Sequence, residues 1–306
     1  MFKQLGLIGC GLMGGSFALA LKKAGLVEHV IGYSKSPSTV IQAQKLGVVD
    51  QAADSALLAV SGADIVLIAV PVAATEQMFR AIRHLVQPNA LFMDVGSTKR
   101  DVVDAARRVL KERLPAFVPA HPIAGKEVAG IAHADANLYR GCQVILTPVR
   151  ETSAVLVDRA TSAWMGVGAQ VRQMSPEAHD EAFAAVSHLP HLLAFAAFSA
   201  VAKQPQGNLF LELAGSGFRD FTRIAASDAA VWRDILIANR EQVLAQAAAF
   251  KTQLERIEQA MRDGRADVVE SLVREAAQAR GAWQMNAPRT VAGFDDVLSA
   301  VPDRKS

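Results

Sequence analysis

The feature that most constrains the fold of this chain is the glycine loop Gly9-Cys10-Gly11-Leu12-Met13-Gly14, which follows an apolar strand at residues 4–8 and opens a helix. A G-x-G-x-x-G pattern in this context is typical of dinucleotide-binding α/β domains. The first glycine permits a tight turn, the second lets the backbone approach a pyrophosphate, and the third allows the helix to pack closely on the strand. The cofactor-site residues predicted in this loop are Gly9, Gly11, Leu12, Met13 and Gly14.

Strand-like and helical segments alternate through the first half of the chain. The clearest strands are predicted at residues 30–33, 64–70, 91–95, 117–119 and 143–147. Strands buried on both faces that alternate with helices predict a parallel, doubly wound, Rossmann-type α/β sheet. We expect residues 143–147 and Val171 to continue this sheet and to complete the first half.

From Ser175 onward the sequence predicts helices only. Ser175-Pro176-Glu177 combines a capping hydroxyl, a proline at the first helical position and an acid in the first turn. Later helices are predicted from about Phe218, over 228–261 and over 266–284. Because so many positions are apolar, we expect part of this region to be buried against a second copy in a homodimer.

The predicted organisation has three parts. Residues 1–173 form a dinucleotide-binding Rossmann domain, residues 174–290 an all-helical C-terminal domain for substrate binding and dimerisation, and residues 291–306 a flexible tail.

Composition excludes several classes of partner. The 306 residues include 32 Lys and Arg and 30 Asp and Glu, so positive and negative charges nearly balance, and no basic run is present. We therefore expect no nucleic acid partner. The two cysteines, Cys10 and Cys142, have no C-x-x-C spacing, which favours a reducing, cytoplasmic setting and no metal site.

The uncharged opening segment, residues 5–21, resembles a signal peptide. Its regularly spaced glycines favour a strand, turn and helix instead. No later segment offers an uninterrupted apolar span of 18 or more residues, so we expect a soluble protein with no membrane partner.

The residues after the second strand bear on the choice of cofactor. Ser34, Lys35 and Ser36 stand where NAD-binding domains carry an acid for the ribose hydroxyls. Hydroxyls and a cation suit a 2′-phosphate, so NADP is the preferred cofactor and NAD the alternative. Val70 and Pro71, at the end of another strand, are also assigned to the cofactor site.

His121 is the predicted catalytic base. It follows the strand at 117–119, and Ser97 follows the strand at 91–95, so both are expected at the carboxyl edge of the sheet. We expect Ser97 to hydrogen-bond His121, which would take a proton from a substrate hydroxyl as hydride leaves. A structural histidine is the alternative.

The helical half supplies the predicted substrate contacts. Ser187 and His191 are four residues apart on one helix face, which Pro190 should distort, whereas His188 is expected to be structural. Arg219 and Arg223 share another face after Gly215-Ser216-Gly217, and paired guanidinium groups predict a small acidic substrate. A solvated face is the alternative for the two arginines.

Five motifs in order carry a family resemblance. They are Gly9 to Ser16, Asp94 to Lys99, His121-Pro122-Ile123-Ala124-Gly125-Lys126-Glu127, Ser187-His188-Leu189-Pro190-His191 and Gly217 to Ala225. With these motifs the chain resembles the prephenate/arogenate (cyclohexadienyl) dehydrogenase family of tyrosine biosynthesis, from about residue 3 to residue 290.

The resemblance implies oxidative decarboxylation of a cyclohexadienol to 4-hydroxyphenylpyruvate or tyrosine. It implies His121 as the base, Ser97 as its orienting partner, Ser187 near the nicotinamide and substrate, and His191 facing the substrate side chain. It further implies Arg223 as a carboxylate ligand, Arg219 as a nearby basic residue, Glu127 at the pocket mouth, and a dimer built through the helical domain.

The sequence departs from the family pattern at two places. Lys126 stands where threonine is common, which leaves substrate preference open. The chain ends at residue 306, so we expect no appended regulatory domain. The alternatives are a β-hydroxyacid dehydrogenase-like oxidoreductase, which would need a lysine in the second domain, and a non-catalytic NADP-sensing protein.

Overall fold

A computed structural model of the chain describes residues 1–85, 87, 89–126 and 128–284. Two compact units are present, residues 1–247 and residues 248–306. They do not test the predicted boundary after residue 173, which stays a prediction. The predicted tail, 291–306, lies outside the described residues.

A six-stranded parallel sheet forms the centre of the first unit. Its strands are β1 (Phe2–Ile8), β2 (Val27–Tyr33), β3 (Gln51–Ala52), β4 (Ile65–Ile68), β5 (Leu91–Asp94) and β6 (Phe117–Val118). The helices that connect them are α1 (Leu12–Lys23), α2 (Pro37–Lys45), α3 (Ala56–Val60), α4 (Val72–Ile82) and α5 (Arg100–Leu110). The order β3-β2-β1-β4-β5-β6 confirms the predicted Rossmann-type sheet.

Both faces of this sheet are covered by apolar side chains. All residues of β4 and β5 are buried, as the uninterrupted apolar sequence predicted. On one face Phe17 packs against Trp164 with ring centroids 4.5 Å apart, and on the other Phe79 packs against Phe117 at 5.1 Å. Because helices cover both faces of the sheet, ligands can approach it at the carboxyl edge of its strands.

A second, separate sheet corrects one sequence prediction. β7 (Ala120–Pro122), β8 (Gln143–Leu146) and β9 (Gln170–Gln173) form a three-stranded sheet in which β7 and β8 are antiparallel. The prediction that residues 143–147 and Val171 continue the first sheet is therefore wrong. The parallel pair β8 and β9 needs a crossover, which the unpredicted helix α6 (Ala154–Gly166) supplies.

Helices follow β9 to the end of the described chain. They are α7 (Pro176–Phe183), α8 (Leu189–Ala202), α9 (Gly207–Glu212), α10 (Ser216–Thr222), α11 (Ala229–Ala238), α12 (Arg240–Arg262) and α13 (Ala266–Ala282). The predicted start at Ser175 is confirmed, because the Ser175 hydroxyl accepts a hydrogen bond from the Ala178 amide at 3.1 Å. The single helix predicted over 228–261 is wrong, since it ends at Ala238 and restarts at Arg240.

A π-helical turn, Ala184–His188, joins α7 to α8. Pro190 has no amide hydrogen to donate to the carbonyl four residues earlier, and this is one cause of such a turn. The local distortion predicted at Pro190 is thus present immediately before it.

One helical stretch within the described residues, Pro176–Ala202, is long and apolar enough to cross a membrane by length and composition. The expectation from the sequence concerned an uninterrupted apolar span of 18 or more residues, and this stretch contains polar residues, so it does not contradict that expectation. Only 22% of its most apolar window is buried, and Ser187, His188 and His191 lie within the stretch.

Candidate active site

The glycine loop lies where the order of the parallel sheet reverses, between β1 and β4. Gly9 has a φ of +99°, and a Cβ there would lie 2.2 Å from the carbonyl oxygen of Ala69. A Cβ on Gly14 would lie 2.3 Å from the Gly9 carbonyl oxygen, whereas one on Gly11 would meet no atom within 4 Å. Gly9 and Gly14 therefore allow the loop to fold, and Gly11 leaves its backbone open on one side.

The first turn of α1, which includes Leu12 and Met13, can receive an anion. This turn has no acidic residue, and no side chain caps its amides. Such amides lack helical partners and carry the positive end of the helix dipole. The loop therefore fits the pyrophosphate of a dinucleotide.

The residues assigned to cofactor choice lie beside this loop. The Gly9 amide donates to the carbonyl of Tyr33, the last residue of β2, at 2.8 Å. Ser34, Lys35 and Ser36 follow directly, and the Ser36 hydroxyl is 2.9 Å from that of Ser38. Lys35 is exposed, so this segment offers hydroxyls and one cation to solvent.

Four predicted residues, which follow the carboxyl ends of β1, β4 and β5, line one cleft of about 210 Å³. They are Met13, Val70, Pro71 and Ser97. The other wall comes from α11, which contributes Val231, Asp234 and Ile235. The sequence predicted the sheet side of this cleft, but not the helix that faces it.

A buried ion pair fixes the loop that carries Ser97. The Lys99 ammonium donates to Asp94 at 2.5 Å and to the Ala120 carbonyl at 2.8 Å. Asp94 in turn accepts from the amides of Gly96 and Ala120 at 2.8 and 3.0 Å. These bonds join the segment after β5 to the strand that bears His121.

The predicted base, His121, follows β6, the last strand of the parallel sheet, and lies within β7 of the second sheet. Its Nδ1 is 2.8 Å from Nε2 of His179, and Nδ1 of His179 is 2.8 Å from Oδ1 of Asp180. Asp180 also accepts from the amides of Lys99 and Arg100, at the start of α5, at 2.9 and 3.0 Å. The two rings and the carboxylate form a continuous hydrogen-bonded chain, called the relay below.

The expected bond between Ser97 and His121 is absent from the part of the chain that the structure describes. The Nδ1 position of His121 is occupied by His179, so Ser97 can meet only the other ring nitrogen. The sequence predicted that Ser97 lies near His121, but it did not identify His179 as the partner of Nδ1.

Burial and neighbouring cations keep His121 uncharged. Burial lowers the pKa of His121 well below 6.5, and His179, Lys99 and His188 lower it further. Burial also lowers the pKa of His179, although the bond to Asp180 opposes this. A neutral imidazole near pH 7 is the form that can accept a proton.

Ser187 and His191 lie together, as predicted, but they are linked through the backbone. Nδ1 of His191 donates to the Ser187 carbonyl at 2.9 Å, which leaves Nε2 as an acceptor in the neutral ring. The ring stacks on Trp232 of α11, with centroids 3.5 Å apart. Burial lowers the pKa of His191, so this ring is also neutral near pH 7.

His188 is enclosed in the helical region. It is 1% exposed, and the Asn239 amide nitrogen lies 3.1 Å from its Nδ1. The same nitrogen donates to the Asp180 carbonyl at 2.7 Å. Burial lowers the pKa of His188 to about 4. Asn239, at the break between α11 and α12, therefore joins this histidine to the relay.

The remaining predicted substrate ligands are not gathered in the cleft. Arg219, on α10, is exposed and pairs with its neighbour Asp220 at 3.0 Å. Arg223 begins a short 3₁₀ helix after α10 and is exposed. Glu127 lies outside the described residues.

The sequence reading missed His179, Asp180 and Asn239. His179 and Asp180 lie one turn after the capped start of α7. They were a usable signal, because polar side chains are seldom buried in such a helix unless they have hydrogen-bond partners. Asn239 lay within an uninterrupted helical pattern and gave no such signal.

Both halves of the chain match known protein families. The family described as "Prephenate dehydrogenase, nucleotide-binding domain" matches residues 17–173, and "Prephenate dehydrogenase, dimerization domain" matches residues 175–276. Prephenate dehydrogenase of Bacillus subtilis is 35% identical over 303 residues, which cover 97% of this chain and 80% of that protein. Cyclohexadienyl dehydrogenase of Zymomonas mobilis is 33% identical over 285 residues, 92% and 96% of the two chains.

A solved structure has the same fold. Prephenate dehydrogenase from A. aeolicus, in complex with hydroxyphenyl propionate and NAD+, matches with a TM-score of 0.84 and 34% identity. The match covers 92% of this chain and 98% of that one.

Proposed function

This chain belongs to the prephenate dehydrogenase family, and from this premise we propose that it oxidises prephenate, arogenate or both, with His121 as the base and NADP as the preferred cofactor. It is an NAD(P)-dependent dehydrogenase, like its named relatives. The observation that carries the residue assignment is the partly buried, uncharged His121, whose Nδ1 is held by the relay.

The proposed reaction uses the chain's own groups as follows. Nε2 of His121, the nitrogen that the relay leaves free, takes the proton of the hydroxyl group on the substrate ring. A nicotinamide dinucleotide held at the glycine loop would supply the hydride acceptor for the carbon that bears this hydroxyl. Loss of the ring carboxylate as carbon dioxide makes the ring aromatic, and the electron pair of the broken bond enters the ring. His121 then returns its proton to the product oxygen.

The other residues position the substrate. Ser97, in the wall of the cleft with Met13 and Pro71, orients the hydroxyl from the side of the cofactor. His191 offers Nε2 to the substrate side chain, and Ser187 lies beside it. Arg223 binds a carboxylate, and Arg219 adds positive charge nearby. A dianionic substrate needs such groups because its charges lose hydration on binding.

The preference for NADP rests on the segment after β2. Ser34, Lys35 and Ser36 provide no carboxylate that would repel a 2′-phosphate, and Lys35 is exposed beside the glycine loop. Ser34→Asp should shift the ratio of kcat/KM for NADP over NAD by at least about tenfold towards NAD, which is about 1.4 kcal/mol. An unchanged ratio would refute the assignment of this segment.

Turnover tests the function directly. The full chain should reduce NADP when supplied with prephenate or arogenate, and kcat/KM for both substrates with both cofactors gives its preference. If the absorbance of reduced cofactor fails to rise with either cyclohexadienol, the proposed function is wrong. Activity with simple β-hydroxyacids alone would instead favour the alternative oxidoreductase class.

Two variants separate the proposed roles. His121→Asn should lower kcat by roughly 10²- to 10⁴-fold, because a general base is lost, while cofactor affinity is kept. Arg223→Ala should mainly raise KM, because a carboxylate ligand is lost in both ground state and transition state. Equal losses of cofactor affinity in the two variants would contradict both roles.

A homodimer completes the proposal. Residues 175–276 match a dimerization domain, and several apolar side chains of this region are exposed in the single chain. We place the subunit contact on these helices.

A further inference from the structure

The relay contains two residues, His179 and Asp180, that the proposed reaction has not used. Both side chains are almost fully buried, with 0% and 2% of their surface exposed. They stand on α7, whereas His121 is on β7, so the bond of 2.8 Å between the two rings joins distant parts of the sequence. A buried histidine pair with unsatisfied nitrogens would be costly, so the direction of each bond is constrained.

Asp180 sets that direction. Its carboxylate accepts from the backbone amides of Lys99 and Arg100. Burial raises the pKa of this carboxyl, but the hydrogen bond from His179, followed by those from the Arg100 and Lys99 amides, lowers it below its ordinary value overall. An ionised carboxylate can only accept, so Nδ1 of His179 must carry the hydrogen in the bond of 2.8 Å.

The tautomers of both histidines follow from this bond. A neutral His179 with hydrogen on Nδ1 has a lone pair on Nε2, which can only accept. Nδ1 of His121 must therefore donate to it, and a neutral His121 has its lone pair on Nε2. This is the form that a general base needs at the nitrogen facing away from the relay.

We propose that His179, oriented by Asp180, is a positioning residue that holds His121 in the Nδ1-protonated tautomer and stabilises its imidazolium form during proton transfer. This inference rests on the proposed function of His121 as the base. When His121 gains a proton on Nε2, its Nδ1 keeps donating to His179, and the carboxylate of Asp180 lies two hydrogen bonds from the new charge. The proton returns to the product oxygen, so the relay gains and loses nothing over a turnover.

Other charged groups near His121 oppose the imidazolium, and this makes the relay necessary. Burial, a charged His179, Lys99 from the loop before α5 and His188 from the π-helical turn all lower the pKa of His121, so His179 supports the imidazolium only as a neutral acceptor. Lys99 is paired with Asp94, and His188 is neutral near pH 7. The Asp180 carboxylate is connected to His121 by the two hydrogen bonds of the relay.

Histidine nitrogen NMR on the cofactor-free protein tests the tautomer without any turnover. With ¹⁵N-labelled histidine, near pH 7, His121 should show a protonated Nδ1 and an unprotonated Nε2, assigned by comparison with His121→Asn. In His179→Ala the same ring should change towards protonation on Nε2. A wild-type His121 protonated on Nε2 would overturn the proposal, whether or not the enzyme turns over prephenate.

Turnover provides the second test. His179→Ala should lower kcat by at least about tenfold with KM for substrate within about twofold, because orientation of a base acts on the transition state. His179→Gln, which can place an oxygen acceptor near the position of Nε2, should recover part of the lost kcat. Asp180→Asn should also lower kcat, because an asparagine side chain can both donate and accept and so no longer fixes the tautomer of His179. The equivalent change in a serine protease triad has this effect.

His84→Ala is the matched control. His84 is exposed and follows α4, so it lies at the edge of the sheet opposite the glycine loop. This variant should keep the wild-type kcat. If His179→Ala keeps kcat within twofold, or loses it with no recovery in His179→Gln and no change in the His121 tautomer, His179 is merely structural and the proposal fails.

Discussion

The two halves of the described chain bury their apolar residues to different degrees. Both hydrophobic clusters of the molecule are built from residues 2–171, and β4 and β5 have no exposed residue. In the helices that follow, Val186 is 72% exposed and Leu213 is 76% exposed. The first half buries its apolar residues between its own layers, whereas the second half leaves several large apolar side chains exposed.

The same contrast holds for the chemistry. The glycine loop is specified by six consecutive residues, and its geometry follows from the absence of side chains at Gly9 and Gly14. The relay combines residues from β7 and α7, and its carboxylate caps α5. Local sequence is thus enough for the cofactor loop but not for the proton-transfer group.

Gly9→Ala should have the largest effect on stability. The new Cβ would lie 2.2 Å from the Ala69 carbonyl oxygen at a φ of +99°. The free energy of unfolding should fall by about 3 kcal/mol, from backbone strain and overlap together. Urea denaturation of the cofactor-free protein measures this loss.

Gly11→Ala is the matched control, because its Cβ would meet no protein atom within 4 Å. Its free energy of unfolding should change by less than about 0.5 kcal/mol. Its Kd for the cofactor should nevertheless rise, since the side chain points into the open side of the loop. Equal losses of unfolding free energy in Gly9→Ala and Gly11→Ala would contradict the claim that the backbone conformation and close contact at Gly9 fix the loop.

Leu213→Asp tests whether the helical half is covered by a second copy. Placing a charge on a buried subunit contact should weaken dimerisation by about 2 kcal/mol or more. Sedimentation velocity should show a shift from dimer to monomer at micromolar concentration. Leu58→Asp, on α3 and 53% exposed, is the control in the first half and should leave the wild-type oligomer unchanged.

His188→Gln tests the buried histidine of the helical half. The pKa of His188 is about 4 in the folded protein and about 6.5 when unfolded, so the unfolded state binds more protons as pH falls below 6.5. Wild-type stability should therefore fall between pH 7 and pH 5, with a contribution of about 2 kcal/mol from this residue.

Urea midpoints across this range should fall less steeply in His188→Gln than in the wild type. His121, His179 and His191 also have lowered pKa values, so part of the slope should remain. A slope identical to the wild type would contradict the assignment of His188 as a buried neutral group.

Ser175→Ala should have the smallest effect. It removes the hydroxyl that caps α7 and should lower the free energy of unfolding by about 1 kcal/mol. Ser153→Ala, at the start of α6, is the control because its side chain makes no capping bond. If the two variants lose equal stability, the helix start at Ser175 is not set by its side chain.

Much of the fold could be predicted from local pattern, and the errors have identifiable causes. The strands of the parallel sheet were found because burial on both faces gives uninterrupted apolar runs. Residues 143–146 gave the same kind of run, yet they belong to a second sheet, because strand pairing is a choice between distant partners. The helix is interrupted at Asn239, where the sequence has neither proline nor glycine. The Asn239 side chain donates a hydrogen bond to the backbone carbonyl of Asp180.

By itself, the sequence determined the glycine loop, the alternation of strands and helices and the start of the helical half, and it singled out His121 as the proposed base. Each depends on residues close together in the chain, where backbone geometry and periodicity leave few choices. Only the tertiary structure decided that Nδ1 of His121 meets His179 rather than Ser97, and that Asp180 anchors both. Hydrogen bonds between side chains 58 residues apart depend on how layers pack, and no local pattern encodes that distance.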